Sequence, residues 1–241
     1  ASLVALGLLA QLGSIALGFS PTPASVFLAP CLAEISRKRP GLRLDTWIGR
    51  TPELIDAVRS EKYDLALIDA SAIDNPDGLI AGQAGQMLDD QPVRVVDGAG
   101  VEHLASLPGG FLVRADHPLL TEATCNLAAI RRFPVACSPI SGDLARRMVE
   151  HFGPDGHPAR LITYFCDSYH VLRDVVLSSD TVVMSVHATM RADIDAGRLI
   201  RLKFTGPQLL GHYAMVRLAG RSVSPALAEL CQQAREHFAE Q

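Results

Sequence analysis

The sequence predicts an α/β protein with a mostly parallel sheet, and three observations support this fold class. Apolar runs of strand length alternate with apolar-periodic stretches of helix length along most of the chain. Capping residues such as Thr, Ser and Asp stand directly before several of the periodic stretches, as they do at the start of a helix. Hydrophobic residues make up 48% of the 241 residues, which leaves ample material for a core.

The opening part of the chain, residues 14–69, carries the clearest pattern. Because Thr is a good N-cap and Pro suits the first helical position, we expect free backbone N–H groups at the ends of two strands. Pro30 lies inside the first of the two helices, where it should kink or restart the helix. The strands are predicted at residues 14–19, 42–48 and 64–68, and the helices between them are predicted to start at Thr22-Pro23 and Thr51-Pro52.

The rest of the chain continues the alternation of strands and helices. Residues 71–109 have weak periodicity and recurrent Gly and Asp, so they are interpreted as a crossover region. Helices are predicted near residues 144–152, 168–177 and 225–239, with start signals at Ser141, Asp167-Ser168 and Ser224. Strands are predicted at residues 110–114, 135–137, 160–165, 181–185, 198–204 and 212–218.

Charge and cysteine content bear on the class of function and on the compartment. A formal net charge of −4 and a pI near 6.1 offer no electrostatic footprint for a phosphate backbone, so the chain by itself is a poor candidate for binding DNA or RNA. The five cysteines are widely spaced and contain no Cys-x-x-Cys pair. This pattern favours free thiols in a reducing compartment and predicts a cytoplasmic protein.

Residues 1–12 are apolar and leave an alternative open. They could be the apolar core of a secretory signal or a short membrane segment. However, no basic residue precedes them in the sequence, and the residues that follow are typical of a strand with a helix behind it. The sequence therefore favours a connector that leads in from an upstream domain, and it predicts no membrane role.

The sequence predicts no catalytic centre, no cofactor and no metal site, and hence a protein that is not an enzyme. It has no Gly-rich phosphate loop, no dinucleotide-binding Gly motif, no His-Glu-x-x-His and no Gly-x-Ser-x-Gly elbow. Small hydroxyl residues are found at the strand-to-helix junctions, where each of them could simply cap a helix. In open α/β sheets ligands bind at the carboxyl ends of strands, so we expect a ligand there. The residues are Ser20, Thr22, Thr51, Ser138, Ser141 and Ser185.

Five stretches of the chain, in their order and spacing, resemble the effector-binding (regulatory) domain of LysR-type transcriptional regulators. The resemblance covers nearly the whole length, from Ser14 to the C-terminus. The family pattern also carries Pro at the position of Pro30, which removes the objection raised by that residue. The stretches are IALGFSPTPASVFLAPCLAEISRKRPGLRLD, TPELIDAVRSEKYDLALID, GGFLVRADHPLL, CDSYHVLRDVVLSSDTVVMSVHATMRADIDAGRLIRL and YAMVRLAGRSVSPALAEL.

The resemblance implies a type 2 periplasmic-binding-protein-like fold, in which two Rossmann-like subdomains are joined by two crossovers and an effector binds in the cleft between them. The first subdomain would hold residues 14–85 and 187–241, and the second would hold residues 86–186. Residues 1–13 would be the end of a linker from a winged helix-turn-helix DNA-binding domain that the sequence does not contain. By position, the family's effector contacts fall on Ser20, Thr22, Thr51, Asp69, Ser138, Ser141, Ser185 and His187.

The resemblance also implies partners. The effector would be a small molecule such as a carboxylate or an aromatic acid, although Asp69 near the cleft disfavours a bare anion. The domains would form a homodimer through the helix after Pro23 and the strand at residues 42–48, and the full-length protein could form a tetramer. DNA would be bound only through the absent domain. The alternative is an extracytoplasmic solute-binding protein of a transporter, with residues 1–12 as the tail of a leader.

Overall fold

The computed structural model describes residues 13–72, 86–88, 91–96, 98–122, 125–140, 142–206 and 209–241, which form two compact units. The first unit contains the described residues up to Ala70, those between residues 86 and 105, and those from Tyr213 to Gln241. The second contains Ser71, Ala72 and the described residues between Ser106 and His212. The predicted subdomain boundaries, at residues 85/86 and 186/187, divide the chain at other points and stay a prediction.

Strands and helices alternate along the chain, which confirms the predicted α/β class. The strands are β1 (Ser14–Phe19), β2 (Arg43–Ile48), β3 (Leu65–Asp69), β4 (Gln86–Leu88), β5 (Gln91–Val96), β6 (Ala99–Arg114), β7 (Val135–Cys137), β8 (Tyr164–Phe165), β9 (Val182–Val186), β10 (Leu199–Arg201) and β11 (Leu209–Leu218). The helices are α1 (Pro21–Pro23, Ala24–Leu28 and Ala29–Lys38 in direct succession), α2 (Thr51–Arg59), α3 (Leu127–Ile130), α4 (Gly142–Phe152), α5 (Pro158–Leu161), α6 (Tyr169–Ser178), α7 (Arg191–Asp195) and α8 (Pro225–Ala239). Within the described residues, no helix is long and apolar enough to cross a membrane.

The sheet of the first unit is parallel at its core. β1 lies between β2 and β3 and runs parallel to both, and β11 pairs antiparallel with β3. Every residue of β3 before Asp69 is buried, as expected for a strand with helices on both faces. β6 contributes Glu102, a buried carboxylate that accepts hydrogen bonds from both Nε and Nη2 of Arg235 on α8, at 2.6 and 3.0 Å.

Pro30 restarts the first helix, as predicted, and the structure shows how. The stretch Ala24–Leu28 is π-helical, and α-helical geometry begins again at Ala29. Pro30 has no N–H, so it cannot serve the carbonyl of Val26, four residues earlier. The Nε2 of His237, on α8, lies 3.0 Å from that carbonyl oxygen. Because a carbonyl only accepts, His237 must donate, and α8 supplies the hydrogen bond that Pro30 removes.

The second unit is built on β6, β9, β7 and β8, which neighbour one another in that order, with β10 also paired to β6. Buried residues cover the sheet on two sides, around Ile130 and Met148 in one cluster and around Leu172 and Val176 in the other. Asp193, in the first turn of α7, is buried and accepts hydrogen bonds from Arg173 Nε at 2.6 Å and Arg198 Nε at 2.7 Å. These pairs connect α6, α7 and the turn before β10.

Three sequence predictions about elements are wrong. Residues 160–165 are not one strand, because His157 caps Ala159 N–H and starts the short helix α5, which leaves only β8 as a strand. The strand predicted at residues 110–114 starts too late, since β6 begins at Ala99; the chain still passes from the first unit to the second within the crossover region 71–109, between Ala105 and Ser106. Thr22 and Thr51 are not N-caps, because they lie inside the first helical turn behind Ser20 and Arg50, and neither of those side chains makes a capping bond.

Candidate functional site

The carboxyl ends of β1, β2 and β3 meet at one edge of the first unit's sheet. In the parallel register Phe19 lies opposite Ile48 and Leu67, so the residues that follow these strands are neighbours. Ser20 N–H donates to the Leu67 carbonyl and Gly49 N–H donates to the Phe19 carbonyl, each at 2.9 Å. This edge therefore brings together four of the predicted site residues, Ser20, Thr22, Thr51 and Asp69.

Ser20 has a buried side chain whose hydroxyl is unsatisfied. The residue is only 2% exposed, and within the described residues its Oγ has no hydrogen-bond partner. The backbone of Ser20 is satisfied, because its carbonyl accepts from Ala24 N–H at 3.0 Å. A buried polar group without a partner costs about 1 to 3 kcal/mol. A ligand could remove that cost, since rotation about one side-chain torsion redirects the hydroxyl.

Thr51 connects the start of α2 to the end of β3. Its side chain is buried, and Oγ1 donates to the backbone carbonyl of Asp69 at 3.2 Å. A hydroxyl has one proton and two lone pairs, so Thr51 can still accept a hydrogen bond. A ligand group facing Thr51 is therefore expected to be a donor, such as a hydroxyl or an amide N–H.

These strand ends offer fewer free backbone N–H groups than the sequence predicts. Pro21 and Pro23 both lie in the first turn of α1, and Pro52 lies in the first turn of α2. Proline has no N–H, so each of these positions offers no backbone donor. Side-chain hydroxyls consequently make up much of the hydrogen-bonding capacity at this edge.

A second group of predicted residues lies at the ends of β7 and β9 in the second unit. Cys137 is opposite Met184 in the parallel register, so Ser138 and Ser185 follow on neighbouring strands. Ser138 Oγ lies 3.1 Å from the hydroxyl of Tyr169, the first residue of α6. Ser141, predicted for the same group, lies outside the described residues.

Ser185 is held by a chain of hydroxyl groups. Thr189 Oγ1 donates to the carbonyl of Val186 at 2.8 Å, so its single proton is used there. The contact of 2.9 Å between Ser185 Oγ and Thr189 Oγ1 then has Ser185 as its donor. This arrangement leaves the lone pairs of Ser185 to accept from another group.

His187 follows β9 directly and is half-buried beside Gly110. A Cβ at position 110 would lie 3.0 Å from His187 Nε2, so glycine provides the room that the imidazole occupies. Burial lowers the pKa of His187 below its ordinary value, and the charge of Arg201 lowers it further. The ring is thus neutral at pH 7 and offers one donor and one acceptor.

Sequence reasoning missed Tyr169 and Thr189, which contact the predicted Ser138 and Ser185. Both lie just past a strand-to-helix junction, where only the junction residues themselves were considered. A second omission is the pair Ser106 and His212, with 2.8 Å between Oγ and Nδ1, on the two long strands β6 and β11. The alternation of apolar and polar residues along a strand could have pointed to these two residues.

A family model and a relative of known role point to the same protein family. The family model described as the LysR substrate binding domain matches residues 10–87 and 87–239. The SDS degradation transcriptional activation protein of Pseudomonas sp. (strain ATCC 19151) is 27% identical over 223 residues, which are 89% of this chain and 63% of that protein. The chain thus spans less than two thirds of this relative. The relative is a regulator, which gives no support to the transporter alternative.

Solved structures of similar fold agree with that match. A putative transcriptional regulator from Vibrio parahaemolyticus has a TM-score of 0.67 at 17% identity, with 94% of each chain covered. The reduced regulatory domain of OxyR2 from Vibrio vulnificus has a TM-score of 0.63 at 16% identity, with 95% of each chain covered. The effector domain of AmpR from Pseudomonas aeruginosa has a TM-score of 0.62 at 15% identity, covering 95% of this chain and 96% of that one. These likenesses support the type 2 periplasmic-binding-protein-like fold, and with the family model they show that the chain belongs to the LysR substrate-binding domains.

Proposed function

We propose that the chain senses a small-molecule effector for a transcriptional regulator, and that the effector binds at the strand ends that carry Ser20, Thr22, Thr51 and Asp69. The observation that carries this proposal is the buried hydroxyl of Ser20, unsatisfied within the described residues, at the same sheet edge as the buried Thr51. Polar groups in protein interiors are nearly always hydrogen-bonded, so an exception at a strand end supports a ligand there. The second-unit residues Ser138, Ser141, Ser185 and His187 are proposed as further effector contacts.

The proposed mechanism is a population shift. The effector binds one conformation of the domain better than another, and it moves the equilibrium only by that difference in affinity. The domain itself would catalyse no reaction and would work in the cytoplasm. Contacts to DNA would be made by a part of the regulator outside these 241 residues, in agreement with the acidic balance of the chain.

The class of effector follows from the groups at the site. The hydroxyls of Ser20 and Ser185 favour a polar head, and Thr51 favours a donor in that head. The relative named for SDS degradation suggests an apolar body as well. We therefore propose an organic acid or ester that combines a polar head carrying a hydroxyl or amide with an alkyl or aryl body.

The experiment is a thermal-shift screen of the purified chain against hydroxy acids, aromatic acids, amino acids and short alkyl sulfates. A compound that binds the folded state raises Tm by mass action. For any such compound, Thr51→Val should weaken binding by about 1 to 3 kcal/mol through the lost hydrogen bond, measured by titration calorimetry. Thr51→Ser is the matched control, because it keeps the hydroxyl. Unchanged affinity in Thr51→Val would remove Thr51 from the site.

A homodimer is the second part of the proposal. The edge strand β2 carries Trp47 and Ile48, which are 41% and 61% exposed, and α1 adds the exposed Leu32. In the second unit the edge strand β8 carries Tyr164 and Phe165, which are 49% and 53% exposed. Exposed apolar side chains on edge strands favour association. The partner we propose is a second copy of the chain, which is the homodimer that the resemblance to LysR-type regulators implies.

A further inference from the structure

Arg201 is a charged residue of the second unit that the predicted site does not include. It is the last residue of β10, which pairs antiparallel with β6. Its side chain is exposed, and within the described part of the chain its guanidinium forms no hydrogen bond and no ion pair. A guanidinium stays protonated at any physiological pH. Arg201 therefore carries a lasting positive charge without a carboxylate partner among these residues.

The strand register places Arg201 on the face of the sheet that also carries the ring of His187. Arg201 lies opposite Leu112 of β6, and Gly110 has the same orientation as Leu112, because every second residue of a strand faces the same way. A Cβ at Gly110 would lie 3.0 Å from His187 Nε2, so the imidazole covers Gly110 on this face. Diagonal neighbours on adjacent strands are about 7 to 8 Å apart, which a long side chain can span. Arg201 and His187 can therefore contact the same small ion.

Ser185 lies on the same face of the sheet. It is opposite Gly110 in the pairing of β6 with β9, and its hydroxyl proton is directed to Thr189. Ser185 can therefore only accept a further hydrogen bond, whereas the guanidinium of Arg201 only donates. Neutral His187 has one N–H to donate as well. This face thus offers donors for an ionised acid, next to an acceptor for a hydroxyl group of the same ligand.

The carboxylates closest to Arg201 in the sequence, those of Asp193 and Asp195 on α7, do not neutralise its charge. Asp193 is already paired with two other arginines, at 2.6 and 2.7 Å. Asp195 forms no ion pair with Arg201 among the residues that the structure describes. Burial lowers the pKa of His187 and the charge of Arg201 lowers it further, whereas no described carboxylate raises it. The field at His187 is therefore that of a cation, which attracts an anion.

We propose that Arg201 and His187 bind the ionised acid group of the effector, so that the effector is a free acid and not an ester. The guanidinium of Arg201 donates to the acid oxygens, and the N–H of His187 donates to the same group. A hydroxyl group next to the acid donates to Ser185. The inference deepens the proposed function, on which its link to an effector rests. It adds a binding residue outside the predicted set, and it chooses between the two effector classes.

The test uses the purified full chain, with sulfate as the probe and dimethyl sulfone as a neutral probe of similar shape. Chloride keeps the ionic strength constant during both titrations. Sulfate should shift the backbone amide NMR signals of Gly110, Ser185 and His187, and these shifts give its Kd. Dimethyl sulfone, which lacks the charge, should bind at least about tenfold more weakly. Equal binding of the two probes, or no shift of these three signals by sulfate, contradicts the anion site.

Two variants with the same change of net charge test the role of Arg201. Arg201→Gln should raise the sulfate Kd about fivefold or more, because it removes a charged donor. Arg37→Gln is the matched control and should leave the Kd unchanged. Arg37 is exposed in the last turn of α1, in the first unit, and its side chain likewise has no partner within the described residues. An unchanged Kd in Arg201→Gln contradicts the site, and so does an equal loss in the two variants.

A second arm separates this inference from the proposed function. For an acid found in the thermal-shift screen, Arg201→Gln should weaken binding of the acid and leave binding of its methyl ester unchanged. If the acid binds Arg201→Gln with full affinity but binds Thr51→Val more weakly, the role of Arg201 is wrong while the proposed function stands. If only Arg201→Gln weakens binding, the role of Arg201 stands while that of Thr51 is wrong.

Discussion

The hydroxyl of Ser20 lowers the stability of the fold, although it is proposed to bind the effector. Its buried hydroxyl lacks a partner within the described residues, whereas the hydroxyl of Ser138 is paired with Tyr169. Two serines with the same predicted role therefore differ in what removal of the oxygen does to the fold. This contrast turns a comparison of two alanine variants into a test of the site.

Ser20→Ala should raise the free energy of unfolding by about 1 kcal/mol, because it removes an unsatisfied buried hydroxyl. Ser138→Ala should lower the free energy of unfolding by a similar amount, because it removes the hydrogen bond between the hydroxyls of Ser138 and Tyr169. Denaturant titrations measure both changes. For any effector found in the screen, Ser20→Ala should also weaken binding, so a variant that loses stability and keeps full affinity contradicts the role given to Ser20.

His187 gives the domain a dependence on pH. Burial holds the pKa of the folded-state imidazole below its ordinary value, so the unfolded chain binds a proton more readily than the folded one. The contribution of neutral His187 to the free energy of unfolding is complete above about pH 6.5, the ordinary pKa of histidine in the unfolded chain. It is lost as the pH falls from there through the pKa of His187 in the folded state. The difference in unfolding free energy between pH 7.5 and 5.5 should be smaller in His187→Gln than in the wild type. Equal pH dependence in the two proteins would contradict this assignment.

Among the helices and strands, a local sequence pattern predicts the bounds of an element only when residues close in sequence determine them. β1 and β7 have the predicted bounds, because each is a short apolar run with turn residues on both sides. β6 continues for 16 residues and includes residues 99–109, whose weak periodicity predicts a crossover region and no strand. The pairing of β6 with β5 and β9 overrides that local signal.

The candidate site likewise contains residues that the sequence could predict and contacts that it could not. Ser20, Thr51 and Ser138 could be predicted, because a strand followed by a helix start is visible in the sequence. The contact of Ser138 with Tyr169 could not be predicted, since it depends on how α6 packs on the sheet of the second unit. The unsatisfied state of Ser20 is equally invisible in the sequence, because it is decided by what surrounds the hydroxyl in three dimensions.

The hydrogen bond from His237 to Val26 predicts a coupling between α8 and α1. His237→Phe keeps a ring beside Phe27, whose ring centroid lies 5.4 Å from that of His237, but it leaves the carbonyl of Val26 without its donor. The variant should lose about 1 to 3 kcal/mol of unfolding free energy.

Pro30→Ala tests the same explanation, because alanine restores an N–H that can reach the Val26 carbonyl. The cost of His237→Phe should therefore be smaller in the Pro30→Ala background, by at least about 0.5 kcal/mol in a double-mutant cycle. Additive effects of the two substitutions would show that His237 does not replace the bond that Pro30 removes.

At the scale of the whole molecule, the edge strands predict self-association. Ile48→Lys should convert a dimer to a monomer, because it places a charge on the exposed apolar part of β2. Light scattering coupled to size-exclusion chromatography measures the mass of each form. Arg43→Gln on the same strand is the control and should stay dimeric, and a dimeric Ile48→Lys would show that β2 does not form the contact.

The hydrogen bond between His237 and Val26 makes the last turn of α8 sensitive to deletion. The last residues of a domain usually tolerate deletion, because few of them are tied down. Here a side chain in the last turn of α8 supports the first helix, directly behind the residues proposed to recognise the effector. Deleting that turn of α8 would therefore disturb the proposed recognition residues, although the deleted residues touch no effector.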